Sequence, residues 1–169
     1  LIVFTSDHGD MCGDHRMTHK APHFYDAVMR VPLIFHWPKG LGKSRRDVDD
    51  LVELVDLLPT LLDCCGSSVP SMLPGHSLTQ ALANEETDTP REDVFAFDTS
   101  GAMLRTRDHK YLRYLSGGEC LFDLKDPQPE VRNIIDDPSY AGVLAEHRNR
   151  LIDRLLLAGQ SPYERLYKF

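Results

Sequence analysis

Residues 1–15 read LIVFTSDHGDMCGDH: four apolar residues, then eleven that carry three acids, two histidines and two glycines. An apolar run that is β-branched or aromatic at three of four positions, closed by polar turn residues, predicts a strand covered on both faces. The eleven residues behind it bury little apolar surface, so they are poor core builders. They read as a loop that holds something charged. Placed directly behind a strand, Asp7 and His8 sit at the carboxyl end of a sheet, where open α/β sheets bind their ligands.

Working outward, RVPLIFHWP at 30–38 is a second apolar run, limited in length by Pro32 and Pro38. Two such strands need neighbours at their edges and helices above and below. The chain offers no others of this kind and begins on Leu, so the sheet is expected to continue in residues outside it. KGLGKSRRDVDD at 39–50 is a polar surface loop. VDLLPTLLDCCG at 55–66 predicts a short helix, with Asp56 as its cap, Pro59 tolerated in the first turn and Gly66 as the stop. A turn-rich connector follows.

From 94 onward the pattern changes. VFAFD, AMLRTRDHKYLRYL and CLFDLKDP alternate between polar or glycine turns, notably SGGE, and predict a small four-stranded antiparallel sheet. Residues 136–159 predict an amphipathic helix capped by Ser139 and ended by Gly159, with Tyr140, Leu144, His147, Leu151 and Leu155 on one stripe. The expected class is therefore α/β. Residues 1–82 are expected to form the end of a larger α/β domain, 83–93 a charged linker, and 94–169 a small α+β subdomain with an antiparallel sheet and terminal helix.

Composition narrows the function. Of 169 residues, 19 are Lys or Arg and 26 Asp or Glu, a net charge of −7. That balance opposes general nucleic-acid binding, which calls for a basic surface. No window approaches the ~18 apolar residues of a membrane-spanning helix, and the first residues show no signal peptide. Cysteines at 12, 64, 65 and 120 form no C-x-x-C pair, and free thiols are expected.

The chemistry concentrates near the start. Adjacent Asp7 and His8 can both turn toward one cation, the carboxylate as a hard ligand and the imidazole as a neutral one. A divalent ion takes about four to eight ligands, so two residues make only part of a site. Lys20, beside a metal, is a sensible grip for a sulfate or phosphate. His15, His19 and His23 can donate hydrogen bonds or protons to the same place. His15 equally well orders its own loop.

These residues carry a resemblance. VFTSDHGDMCGDH, HKAPHFYDAVMRVPLI, VDLLPTLLDCCG, LPGHSL and LFDLKDPQPEVRNI occur in this order over residues 2–157. The set resembles the carboxyl-terminal portion of a type I sulfatase, of the alkaline-phosphatase-like superfamily. The resemblance implies that Asp7 and His8 ligate the catalytic divalent cation, Ca²⁺ with Mn²⁺ or Mg²⁺ as alternatives. It implies that Lys20 is a catalytic residue contacting the sulfate, with His15, His19 and His23 in the surrounding shell. The family's Y-D-L, D-P and E-x-x-N elements are resembled, in that order, by Phe122 and Asp123, Asp126 and Pro127, and Glu130 and Asn133, with Phe122 in the usual Tyr place. The formylglycine nucleophile of the family is expected upstream. The only run of similar shape here, CGDHR at 12–16, has Asp14 where Pro or Ala belongs and lies on the wrong side of the Asp-His pair.

The resemblance thus implies hydrolysis of sulfate esters in the complete protein, with a sulfated small molecule or glycan as substrate. This chain alone is expected to be inactive. A periplasmic or extracellular location goes with the family, and the missing half or self-association is expected to cover the opening strands. Two other readings stand beside it: a phosphonate monoester or phosphodiester hydrolase of the same superfamily, and a non-catalytic module that binds an anion or a partner.

Overall fold

The computed structural model describes residues 1–42, 45–83 and 91–159. In chain order the elements are β1 (Ile2–Thr5), α1 (Asp26–Met29), β2 (Leu33–His36), α2 (Leu57–Cys64), α3 (Thr79–Ala83), β3 (Val94–Phe97), β4 (Gly101–Arg105), β5 (His109–Tyr114), β6 (Glu119–Asp123) and α4 (Ala141–Gly159). Strands β3 to β6 form an antiparallel meander in sequence order, and β1 pairs with β2 in a separate antiparallel ribbon. The architecture is mixed α/β, with two antiparallel sheets and a carboxyl-terminal helix.

The meander is the middle of three layers. In β4, Ala102, Met103 and Leu104 are buried in succession, so both faces of the strand are covered. On one face Ala102, Leu104, Tyr111 and Leu121 pack against Ile134 and the α4 residues Val143, Leu144 and Leu151. On the other, Met103, Leu112 and Phe122 pack against Phe24, Tyr25 and Met29 from the α1 segment. Both faces are dry at the centre of this sheet because residues 24–29 fold back over the second one.

That second face carries a charge. Lys110 is fully buried, and its ammonium donates to Asp26 Oδ1 at 2.8 Å and Glu130 Oε1 at 2.5 Å. Glu130 Oε2 accepts the Asp26 backbone N–H at 2.9 Å, and Arg105 approaches the other Asp26 oxygen at 3.2 Å. Burial pushes the Asp26 carboxyl up, but Lys110, then Arg105 and Arg30, outweigh it and hold it below the ordinary carboxylate value. Glu130 reaches this position from a backbone with φ of 64°, a left-handed conformation costly for a residue with a Cβ. Asn133, three residues after Glu130 in the same pattern, binds the Leu121 and Ile135 N–H groups at 2.9 and 3.2 Å. Asp123 takes the Tyr140 hydroxyl at 3.1 Å. The D-x-x-x-x-x-x-E-x-x-N part of the family pattern therefore builds structure.

A second polar cluster ties α2 to the meander. Asp56 is buried and accepts the Glu53 N–H at 2.7 Å, the His76 N–H at 2.8 Å and Arg91 at 2.5 Å. The sequence reading placed Asp56 as the α2 cap, and its side chain instead makes no bond to that helix. A carboxylate drawn toward a buried guanidinium is better satisfied there than on helix N–H groups that Pro59 partly removes. Glu53 accepts the Phe95 N–H at 2.7 Å and pairs with Arg91 and Arg154, which links β3 and α4. Arg91, read as part of a charged linker, has a side chain only 7% exposed. Residues 84–90 of that linker lie outside the described residues.

Two further expectations need correction. Asp137, not Ser139, caps the turn that leads into α4, accepting the Ser139 N–H at 3.0 Å. The β1–β2 ribbon is not covered on both faces. Ile2, Phe4 and Ile34 lie on one face by register and are 64%, 60% and 56% exposed. Gly66, with φ of 69°, does end α2. Among the described residues the four cysteines are free, and no helix is long and apolar enough to cross a membrane.

Breaking the buried cluster leaves an unmatched charge, which costs about 3–5 kcal/mol. Glu130→Ala is therefore expected to lower the melting temperature on the order of 10 °C, while Lys125→Ala, in an exposed pair with Asp108, leaves it within error. Thermal unfolding followed by circular dichroism checks both.

His147 gives a second expectation. It is buried on the inner side of α4, donates from Nδ1 to the Val143 carbonyl at 2.9 Å and lies with Nε2 3.4 Å from Thr106 Oγ1. Burial pushes its pKa below the ordinary 6.5; the Val143 contact and Glu146 oppose this weakly, and His109 and Arg150 add to it. The unfolded chain then binds more protons than the folded one, so stability falls as pH drops through the ordinary histidine range. Melting temperature is expected to decline from about pH 7 to about pH 5.5, and His147→Gln to flatten that decline.

Candidate functional site

Strand β1 ends at Thr5 and delivers four residues into a tight local knot. The Ser6 hydroxyl donates to the His8 carbonyl at 2.8 Å, and the His8 N–H donates to Asp7 Oδ1 at 3.0 Å. His8 Nδ1 lies 2.7 Å from the Gly9 carbonyl, which can only accept, so Nδ1 carries the proton. Nε2 is then left with its lone pair bare. It sits 3.8 Å from Asp7 Oδ2. That is too long for a hydrogen bond, and it is the spacing of two donors that share one cation at roughly 2.0–2.6 Å from each. The His8 side keeps the exposed Asp7 carboxyl below the ordinary carboxylate range, aided by backbone N–H and Ser6 contacts.

Gly9 fixes this knot to the fold. Its N–H donates to the Val28 carbonyl at 2.7 Å, and a Cβ at Gly9 would fall 2.0 Å from the Ala27 carbonyl oxygen. Only glycine allows the loop to lie this close to α1.

The loop from 12 to 23 carries the other expected residues. Cys12, His15, Arg16 and Ala21 all have φ between 32° and 61°, an unusual run of left-handed backbone in non-glycine residues. His15 stacks on Tyr25 with ring centroids 4.1 Å apart and planes 20° from parallel. It orders the loop. His23 is half-buried, its ring 6.1 Å from the same tyrosine. His19 and Lys20 are exposed. The Asp98 carboxyl, in the turn between β3 and β4, is held below the ordinary carboxylate value: burial opposes this, and the Ser100 and Gly101 hydrogen bonds, then the charge of Lys20, favour it. Among the described residues, no hydrogen bond or ion pair joins Lys20 to Asp7 or His8. The structure thus brings Asp7 and His8 together and gathers His15 and His23 around Tyr25, with Lys20 on the same loop.

The donor set fits one share of a metal centre. A carboxylate oxygen and a bare imidazole nitrogen lie 3.8 Å apart, and the imidazole is oriented by a backbone carbonyl, as metal-binding histidines commonly are. Among the described residues no group of three or more His, Cys, Asp or Glu side chains is placed to hold a metal ion. Tyr25 was not singled out from the sequence, although it anchors two of the loop histidines. Its place in FYDAVM, beside the Asp26 that binds Lys110, was the available signal.

The family model described as N-sulphoglucosamine sulphohydrolase, C-terminal, matches residues 13–155. Delta 4,5-hexuronate-2-O-sulfatase of Bacteroides thetaiotaomicron is 37% identical over 177 residues, covering 98% of this chain and 36% of that protein. The solved structure of a 2-O GAG sulfatase superposes with a TM-score of 0.82 at 37% identity, over 91% of this chain and 35% of the other. Phosphonate monoester hydrolase from Silicibacter pomeroyi superposes with a TM-score of 0.81 at 29% identity, over 92% of this chain and 34% of the other. The chain therefore spans about a third of the length of the proteins it matches.

The contact at Gly9 makes a sharp test of how the Asp7–His8 knot is positioned. Gly9→Ala must push the loop off α1, an overpacking cost of about 1–3 kcal/mol. A melting temperature lowered by several degrees, with altered imidazole NMR shifts for His8, is the expected outcome. An unchanged His8 spectrum would show that the loop is set without α1.

Proposed function

This chain belongs to the carboxyl-terminal family of the sulfatases, with an alkaline-phosphatase-like fold, and from that premise we propose that it supplies part of the active site of a sulfuric ester hydrolase. The observation that supports this reading is the Asp7 carboxylate 3.8 Å from the bare Nε2 of His8, at the end of β1. In the proposal these two residues hold part of a divalent cation site, Ca²⁺ first and Mn²⁺ or Mg²⁺ as alternatives. The cation, when bound, supplies Lewis-acid polarisation of the ester oxygens. A formylglycine nucleophile and the remaining ligands come from outside this chain.

The chain's own residues then have separate duties. Asp7 contributes negative charge, its carboxyl held below the ordinary carboxylate range by His8 first. His8 contributes a nitrogen whose direction is locked by the Gly9 carbonyl. Lys20 binds the anionic oxygens of the ester and steadies charge that develops on them. His19 and His23 flank Lys20 and are the available proton donors on the same loop. The substrate class is a sulfated sugar, as the name of the hexuronate-2-O-sulfatase relative indicates for that protein.

One observation favours a second reading. The phosphonate monoester hydrolase superposes almost as well as the 2-O GAG sulfatase, so the fold alone serves either anion. The test is to assay the full-length protein on a 2-O-sulfated unsaturated hexuronate and on a phenyl phosphonate monoester. Preference for the sulfate ester supports the proposal, and preference for the phosphonate supports the second reading. Turnover of neither favours a binding module. In the active case Lys20→Ala is expected to lower kcat/KM by about 10²–10³ without loss of bound metal. His8→Ala is expected to lower both, with metal content read by mass spectrometry.

A further inference from the structure

The turn that receives the Asp7–His8 loop cannot hold itself in place. α1 is four residues long, a single turn, and too short to persist without outside support. Its N-cap residue, Tyr25, makes no side-chain capping bond. The orphan Asp26 N–H is met instead by Glu130, 104 residues away in sequence, whose Oε2 accepts it at 2.9 Å. The other Glu130 oxygen accepts the fully buried Lys110 ammonium at 2.5 Å, and Lys110 also donates to Asp26 Oδ1 at 2.8 Å. Asp26 is thus gripped by its backbone and by its carboxylate together. Phe24 and Met29 also press this segment onto Met103 and Leu112. Apolar contact is non-directional, however, and lets a turn slide. The bonds from Glu130 and Lys110 fix its register.

From α1 the contacts run straight to the candidate ligands. The Val28 carbonyl accepts the Gly9 N–H at 2.7 Å, and the Gly9 carbonyl lies 2.7 Å from His8 Nδ1, which donates to it. One residue therefore docks on α1 through its N–H and aims the imidazole through its carbonyl. Strand β1 supplies no equivalent restraint. Among the described residues β1 and β2 pair with each other and with no strand of the meander.

We propose that Glu130, together with Lys110, is a positioning residue for the Asp7–His8 pair: by fixing the Asp26 turn it sets where the two candidate metal ligands stand. The proposal rests on the metal-site reading above and deepens it. Metal–ligand distances tolerate only about 0.2 Å, so a small slip of α1 is felt at the site. The demand also gives a reason for the left-handed backbone of Glu130, with φ of 64°, a conformation that persists where surrounding contacts over-determine it.

Glu130→Gln keeps the size of the side chain and removes its charge and one acceptor oxygen. In the full-length protein stripped of metal, it is expected to move the His8 ring resonances in a histidine-labelled NMR spectrum. It is also expected to weaken Ca²⁺ binding, read by calorimetry, about tenfold. Leu151→Ala is the control: it empties part of the core on the opposite face of the sheet. It lowers the melting temperature as well, yet is expected to leave both readouts unchanged. All measurements are made well below the lowest melting temperature of the set. A His8 spectrum unchanged in Glu130→Gln, or changed equally in Leu151→Ala, overturns the proposal. So does an unaltered affinity in a protein that binds Ca²⁺. If the unsubstituted protein binds no Ca²⁺, the metal-site reading falls, and a His8 shift confined to Glu130→Gln still sustains the positioning role. Asp26→Asn, which loosens the same grip without changing the shape of the turn, decides by the same outcomes if Glu130→Gln does not fold.

Discussion

A lysine ammonium taken fully out of water must be matched by negative charge at short range, or the structure around it gives way. Lys110 meets that demand with two carboxylates from segments far apart in sequence, Asp26 and Glu130. The same two residues are joined by a backbone bond from Asp26 to Glu130. Three pieces are therefore fixed by one charge: the α1 turn, the start of β5 and the loop after β6. The α1 turn in turn receives the Gly9 N–H, which sets the loop bearing Asp7 and His8. A buried cation with no part in the chemistry thus decides where the candidate metal ligands stand.

This arrangement also accounts for the layering. Two clusters of apolar side chains lie on opposite faces of the meander, one under α4 and one under residues 24–29. Polar links do the joining between them. Glu53 and Asp56 meet Arg91 and Arg154, so the α2 region is bound to β3 and α4 by charge and backbone contacts more than by oily surface. The β1–β2 ribbon has no such cover on one face. Burying one Phe or Ile contributes roughly 1.5–3 kcal/mol, so Ile2, Phe4 and Ile34 together represent a sum comparable with the ~5–15 kcal/mol net stability of a domain. That face is built to be covered.

Local pattern made much of the fold legible. The alternation after residue 94 and the SGGE turn foretold the four strands, and the stripe through His147 and Leu151 foretold the buried side of α4. Long-range pairing was not legible. Nothing near Lys110 in sequence says that it is buried, because both partners come from elsewhere. Asp56 looked like a helix cap because a cap is a local device, whereas its true partner, Arg91, lies 35 residues away. In the candidate site, adjacency made Asp7 and His8 visible as a pair. The tautomer of His8 and the stacking of His15 on Tyr25 required coordinates.

The site divides its constraints between near and far. Four consecutive residues, 6–9, set the angle between the Asp7 carboxylate and the His8 nitrogen through bonds within the knot itself. Those bonds survive movement of the knot as a body. Its position depends instead on Gly9 against α1, and through α1 on Lys110. Lys20 answers to neither, since it rides on the left-handed loop whose order comes from Tyr25. A ligand that bridges the pair and Lys20 would therefore couple two units of the fold that are otherwise positioned independently. Tyr25 is placed to transmit that coupling, because it stacks on His15 and immediately precedes Asp26, the partner of Lys110.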